Sequence, residues 1–224
     1  MTNQSVLKKR TLYLIVGVFT MLFSGVLYAW SILKVPFSQE CNFSDSSLAL
    51  SFTITMCFFC LGAFLGSIIC KKFGVRPTLI TAGILVGTGF FLTSTITKDT
   101  LYMLFIGYAL LSATGIGISY NVVVSTVCAW FPDKKGFCSG CLMMGFGIST
   151  LLLGNLISML FSNSYIGWNK TYLILGAVIT VVLIIAALIL RSPTSDTVLP
   201  APKQRRITKT DTRYQCNGCK GKRA

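Results

Sequence analysis

The sequence predicts an all-α membrane protein with six transmembrane helices, and three observations carry that expectation. Charge is scarce: 12% of the 224 residues are charged and 53% are hydrophobic, with a mean hydropathy of +0.72. A soluble domain uses roughly 25% charged residues to cover its surface, so this chain is not built to face water on all sides. Its apolar residues fall into six runs, each close to or beyond the ~20 residues that cross the hydrocarbon core as a helix. No Asp, Glu, Lys or Arg lies inside any of them. Soluble enzymes, nucleic-acid binders and disordered proteins are excluded together.

The first run, 12–33, follows Lys8-Lys9-Arg10. It is longer than the 7–15 residues of a signal-peptide core and no small-x-small cleavage site follows it, so it reads as a span. The second, 46–70, carries Gly62-x-x-x-Gly66 and stops at Lys71 and Lys72. The third, 77–96, carries Gly83, Gly87 and Gly89. The fourth, 101–131, carries Gly115 and Gly117 and stops at Pro132, which cannot continue a helix. The fifth, 136–161, has Gly136-x-x-x-Gly140 and then Gly145, Gly147 and Gly154. Asp133 is placed to cap it and suits its positive end. The sixth run is 171–190. Small residues at this density let helices approach closely in lipid, where no hydrophobic drive pushes them together; packing alone and sliding during a conformational cycle both account for them. The organisation expected is an N-terminus at 1–11, a bundle at 12–190 and a basic tail at 191–224. Residues 192–209 are too polar to pack alone.

The net charge of +14 arises from topology. With the N-terminus in the cytoplasm, the inner segments hold Lys8, Lys9, Arg10, Lys71, Lys72, Arg76, Lys134, Lys135, Arg191 and the tail cations, while the outer segments hold only Lys34, Lys98 and Lys170. Cationic loops resist translocation, so both termini are expected in the cytoplasm of a multi-pass plasma (inner) membrane protein. The clustered tail cations could also attract anionic headgroups. The six acids, Glu40, Asp45, Asp99, Asp133, Asp196 and Asp211, all lie outside the runs, and there is no histidine. Proton pumps, intramembrane aspartyl proteases and histidine-ligated haem proteins therefore lack their essential groups. Nucleic acid is not an expected partner, and no cofactor is expected.

Of the nine cysteines, Cys57, Cys60, Cys70, Cys128, Cys138 and Cys141 fall in or at the ends of runs, where a thiol packs as a small apolar group. Only Cys216-Asn217-Gly218-Cys219 has metal-knuckle spacing in a polar segment, and two ligands are half of a zinc site. Trp30 and Trp130, near span ends, read as interfacial anchors. Tyr28, Tyr120 and Asn121 are the polar groups singled out for a cavity: aromatic hydroxyls can hydrogen-bond a small carboxylate while their rings exclude water. Packing explains the tyrosines equally well.

The loop Trp130-Phe131-Pro132-Asp133-Lys134-Lys135-Gly136, followed by FCSGCLMMGFGIS, resembles the oxalate/formate antiporter family of the major facilitator superfamily. GVLYAWSILKVPF in the first run and GIGISYNVVVSTVCAWF in the fourth resemble the same family at matching places. GSIICKKFGVR at 66–76 more loosely resembles the superfamily signature between spans 2 and 3. The resemblance implies one six-helix half of that fold, a 3+3 inverted repeat. It also implies that Tyr28 and Tyr120 line a central anion cavity, and that Lys72, Gly74 and Arg76 help close the cytoplasmic side with the 130–136 loop. The signature's aspartate falls at Lys71, and its opening glycine at Ser67. In the family, the cations that bind carboxylates lie in the second half.

The function expected is therefore the N-terminal half of an alternating-access carrier for small organic anions such as oxalate, formate or other monocarboxylates. Its partners would be the lipid bilayer, a small carboxylate, and a second six-helix half supplied by a separate chain, a continuation or a second copy. The alternatives are a stand-alone six-span homo-oligomeric carrier or channel, and a non-transporting fragment or membrane adaptor. An enzyme ranks last, because no acid, base or metal cluster faces a plausible site.

Overall fold

The computed structural model describes residues 3–97, 100–161 and 167–192. Lys98, Asp99, the tail cations from Lys203 onward, and Cys216 and Cys219 lie outside the described residues. Six helices long and apolar enough to cross a membrane follow in order: α1 (Lys8–Gln39), α2 (Asp45–Phe73), α3 (Val75–Ser94), α4 (Leu101–Ala129), α5 (Lys135–Phe161) and α6 (Gly167–Ile189). The described residues contain no strand. The largest departure from the sequence segmentation is α1, which extends past Leu33 because Pro36 enters its last short turn where no backbone N–H is required.

Helix ends follow local chemistry. Ser44 Oγ accepts the Ser47 N–H at 3.3 Å and caps α2, with Asp45 in the first turn. At the other end, Gly74 takes φ 87° and ψ 175°, a conformation almost confined to glycine. Its N–H bonds Cys70 O at 2.9 Å, and its surroundings are open, so backbone shape rather than crowding requires the glycine. The expectation that Asp133 caps α5 is corrected. The first turn there closes from Cys138 N–H to Lys134 O, and Asp133 pairs with the buried guanidinium of Arg10. An unpaired buried cation is far costlier than an uncapped first-turn N–H.

Four helix pairs build the bundle: α1 with α5, α2 with α4, α3 with α6, and α3 with α4. Exchanging the first three helices for the last three maps the α1–α5 pair onto α4–α2 and returns α3–α6 to itself, the relation of a 3+3 inverted repeat. Each pair meets at small residues. Gly62 and Gly66 lie against the α4 backbone at Thr114 and Ile118, and Gly117 lies against the α2 backbone at Phe59 and Ala63. Gly145 meets Val18 O, and Gly25 meets Phe146 O and Ser149. Gly87 faces Thr180, and Gly176 faces Phe90. By contrast, Gly136, Gly140 and Gly147 have open space beside them, on a helix whose Met143, Met144 and Leu151 are exposed.

Two apolar clusters form the core. Near the basic end of the bundle sit Tyr13, Val123, Trp130, Cys138 and Leu142; towards the other end sit Trp30, Phe37, Phe90, Tyr108 and Tyr172. Trp30 and Trp130, expected at the membrane interface, are both buried. Trp30 lies 4.8 Å from Tyr108, and Trp130 packs edge-on to Tyr13 at 4.9 Å while donating its indole N–H to Arg191 O at 2.8 Å. Cys57 and Cys60, expected to pack, are exposed on α2, whereas Cys138 is buried. The small residues of α2 take its contact face, which leaves those thiols on the outer one.

Candidate functional site

The winding of α1 changes in its second half, where Gly25–Ala29 form a 3₁₀ turn. Gly25 leaves no room for a Cβ against α5, so the backbones touch there. Tyr28 emerges from this turn 51% exposed, with its ring edge-on to Phe146 of α5 at 5.2 Å. Tyr120, from α4, is 5.3 Å from the same Phe146 ring. Phe59, from α2, stands 5.5 Å from Tyr120 and 6.2 Å from Phe146. Four helices thus each give one ring to a single aromatic cluster. Leu27, Tyr28, Met56, Phe59 and Phe146 border a cleft too tight to admit a water molecule. Tyr120 and Asn121 are half-buried, and neither is among the residues bordering it.

The structure therefore brings Tyr28 and Tyr120 together through a residue that sequence reasoning passed over. Phe146 and Phe59 carry no functional group that marks them in a sequence; the one signal was their place on the two helices with GxxxG spacing. Chemically, the cluster offers two phenolic hydroxyls, able to donate or accept, on a wall of rings whose edges are electropositive. It contains no cation. A carboxylate held in a dry site without a counter-charge is strongly disfavoured, so this wall can orient an anion but cannot neutralise it. Three further hydroxyls, those of Ser51, Tyr108 and Ser149, are buried with no hydrogen-bond partner. A larger groove, about 380 Å³, lies elsewhere, between α3 and α6, and is almost wholly apolar apart from Thr180.

The loop-signature residues separate by role at the basic end. Arg76 donates to Leu188 O at 3.3 Å, and with Trp130 it satisfies carbonyls at the negative end of α6. Arg10, which the sequence marked only as a topology charge, is 6% exposed, pairs with Asp133 and lies over the Phe131 ring at 4.5 Å. This contact ties the start of α1 to the α4–α5 loop. Lys71, Lys72, Lys134, Lys135 and Gly136 are exposed, and Pro132 is half-buried. At the opposite end, Trp168 Nε1 donates to Glu40 at 2.5 Å and the Tyr172 hydroxyl donates to Leu33 O at 2.6 Å, joining α1 to α6.

Comparison with known proteins adds an independent line. The sequence profile of the Major Facilitator Superfamily matches residues 12–216. The chain is 28% identical over 204 residues to the MFS-type transporter YhjX of Escherichia coli, covering 91% of this chain and 48% of that protein. It is 29% identical over 196 residues to the oxalate:formate antiporter of Oxalobacter formigenes, covering 86% of this chain and 46% of that protein. It is also 29% identical over 134 residues to monocarboxylate transporter 9 of Pongo abelii, covering 60% and 26% respectively. The chain spans about half the length of the first two relatives.

Proposed function

The chain belongs to the Major Facilitator Superfamily, a family of membrane transporters rather than enzymes, and from that premise we propose that it is one six-helix half of a secondary carrier for small organic anions. The observation that carries this reading is the convergence of Tyr28 and Tyr120 on Phe146, which makes a hydroxyl-bearing aromatic wall from four helices. The anion is a small carboxylate, of the size of formate or oxalate; the name of the Oxalobacter relative and those of the monocarboxylate transporters support this class. The wall lacks a cation, so a second six-helix half supplies the counter-charge and faces Tyr28 across the cavity. The exposed side of α5, with Gly136, Gly140 and Gly147 open, suits close approach by that half.

In this reading the basic end lies in the cytoplasm of a plasma membrane, consistent with the retention of cationic loops. Transport proceeds by alternating access around the fixed cavity. The rings keep water off the carboxylate, and the phenols of Tyr28 and Tyr120 hold its oxygens. Lys71, Lys72, Lys134 and Lys135 form this half's face of the cytoplasmic gate, while Arg76, Trp130 and Asp133 hold the helices that present it. A hydrogen bond to a charged group contributes about 1.5–3 kcal/mol, so Tyr28→Phe in the complete carrier weakens carboxylate binding roughly ten- to a hundred-fold. Competition for labelled formate or oxalate uptake measures it. An unchanged affinity and rate would place Tyr28 among the packing residues.

A further inference from the structure

The first nine residues after the opening turn of α4, Leu104–Ser112, are wound as a π-helix, and the rest of the helix, Ala113–Ala129, is α. A π-turn holds one residue more than the α-turn it replaces and persists only where neighbours support it. Here the support is visible. Ser112 Oγ donates to Gly107 O, five residues back, at 3.0 Å. Across the crossing, Gly89 of α3 has no room for a Cβ against Gly107 O and Ser112, so the wider turn fits only because both helices carry glycine at the contact. In the middle of the segment, Tyr108 is fully buried, 4.8 Å from Trp30 and edge-on to Phe90 at 6.0 Å, and its hydroxyl has no hydrogen-bond partner.

Two features of this segment therefore oppose the winding they sit in. A buried hydroxyl without a partner is unfavourable, and the π-turn gives up the better geometry of the α-turn. The aromatic packing under Trp30 and the Ser112–Gly107 bond oppose both. We propose that Leu104–Ser112 is a rewinding switch, passing between π and α winding and swinging Tyr108 between its packed place under Trp30 and a position where its hydroxyl is satisfied. Expelling one residue from the turn rotates the chain beyond it by up to about 100° and shifts it by about 1.5 Å. Tyr120 lies on the α-wound part of the helix, which is held against α2 at Gly117, so the rotation falls on the other side, at Leu101–Met103, and Tyr120 keeps its place. Trp30 directly follows the 3₁₀ turn that holds Tyr28, so release of Trp30 by Tyr108 reaches Tyr28 two residues earlier in the same helix. The switch stands independently of the carboxylate assignment, because it rests on winding, burial and the orphan hydroxyl alone.

The test uses the full chain, purified in lipid nanodiscs, with 3-fluorotyrosine incorporated and the Tyr108 ¹⁹F resonance assigned by its loss in Tyr108→Phe. The expected result is two Tyr108 environments in exchange. Ser112→Ala, which removes one small hydroxyl, shifts their ratio at least threefold towards the minor one, and deletion of Leu110 leaves a single environment. If the deletion does not fold, Ser112→Ala still decides. One Tyr108 environment in the native chain, unmoved by Ser112→Ala, overturns the switch.

Discussion

Gly117→Ala adds one methyl group at the contact between α2 and α4, and the structure states what it meets. A Cβ there lands on Phe59 O and lies 2.9 Å from Ala63 N and 3.0 Å from Phe59 C, all of them backbone atoms that cannot rotate aside. The two helices must separate or shift, and overpacking of this kind costs about 1–3 kcal/mol. Replacing glycine by alanine inside a helix returns about 0.5–1 kcal/mol in backbone entropy, so the net loss is up to about 2.5 kcal/mol. For a chain of this size, ~1 kcal/mol moves the unfolding temperature by about 2–4 °C, which puts the fall at up to about 10 °C. Gly140→Ala is the internal control, because a Cβ there has nothing within 4 Å, and the entropy gain alone raises stability slightly. Thermal unfolding of both variants in one detergent, followed by helical circular dichroism, makes the comparison. Equal stabilities for the two variants would refute the close α2–α4 packing.

Two further outcomes follow from the loops. Asp133→Asn leaves the Arg10 guanidinium buried beside Phe131 without its carboxylate, a loss of about 3 kcal/mol, and the double change with Arg10→Met recovers much of it; a double-mutant cycle by thermal unfolding gives a coupling of at least ~1 kcal/mol if the pair is as described. Gly74→Ala meets no atom but forces a side chain into a backbone conformation nearly confined to glycine, for a loss of about 1–3 kcal/mol, checked by the same measurement; stability equal to the native chain would mean that the α2–α3 turn has another shape.

How much of this was legible beforehand depends on whether the cause was local. The six spans could be read because charge is absent from each run, a property of consecutive residues. The Gly62/Gly66 pair could be read because its spacing is helical. The glycines of α5 could not be sorted: Gly145 packs on Val18 while Gly140 and Gly147 face open space, and nothing in spacing distinguishes the two faces. The Arg10–Asp133 pair joins residues 123 positions apart, so Arg10 looked like one more positive-inside charge and Asp133 like a cap. The π-winding of α4 depends on Gly89 in another helix and leaves no local mark. At the candidate site, Tyr28 and Tyr120 stood out as hydroxyl-bearing rings, whereas Phe146, on which they meet, resembled any core phenylalanine.

A chain that supplies one hydroxyl-lined wall of a carboxylate cavity, as we propose, transports only with a second six-helix half. Counterflow of labelled formate or oxalate into substrate-loaded proteoliposomes tests it most directly, with the chain alone, with the chain joined to a second half, and with Tyr28→Phe and Tyr120→Phe combined in the joined protein. Exchange is expected only in the joined protein, with a loss of at least about tenfold in apparent affinity in the double variant. Exchange by the chain alone, or full affinity without both hydroxyls, would contradict it.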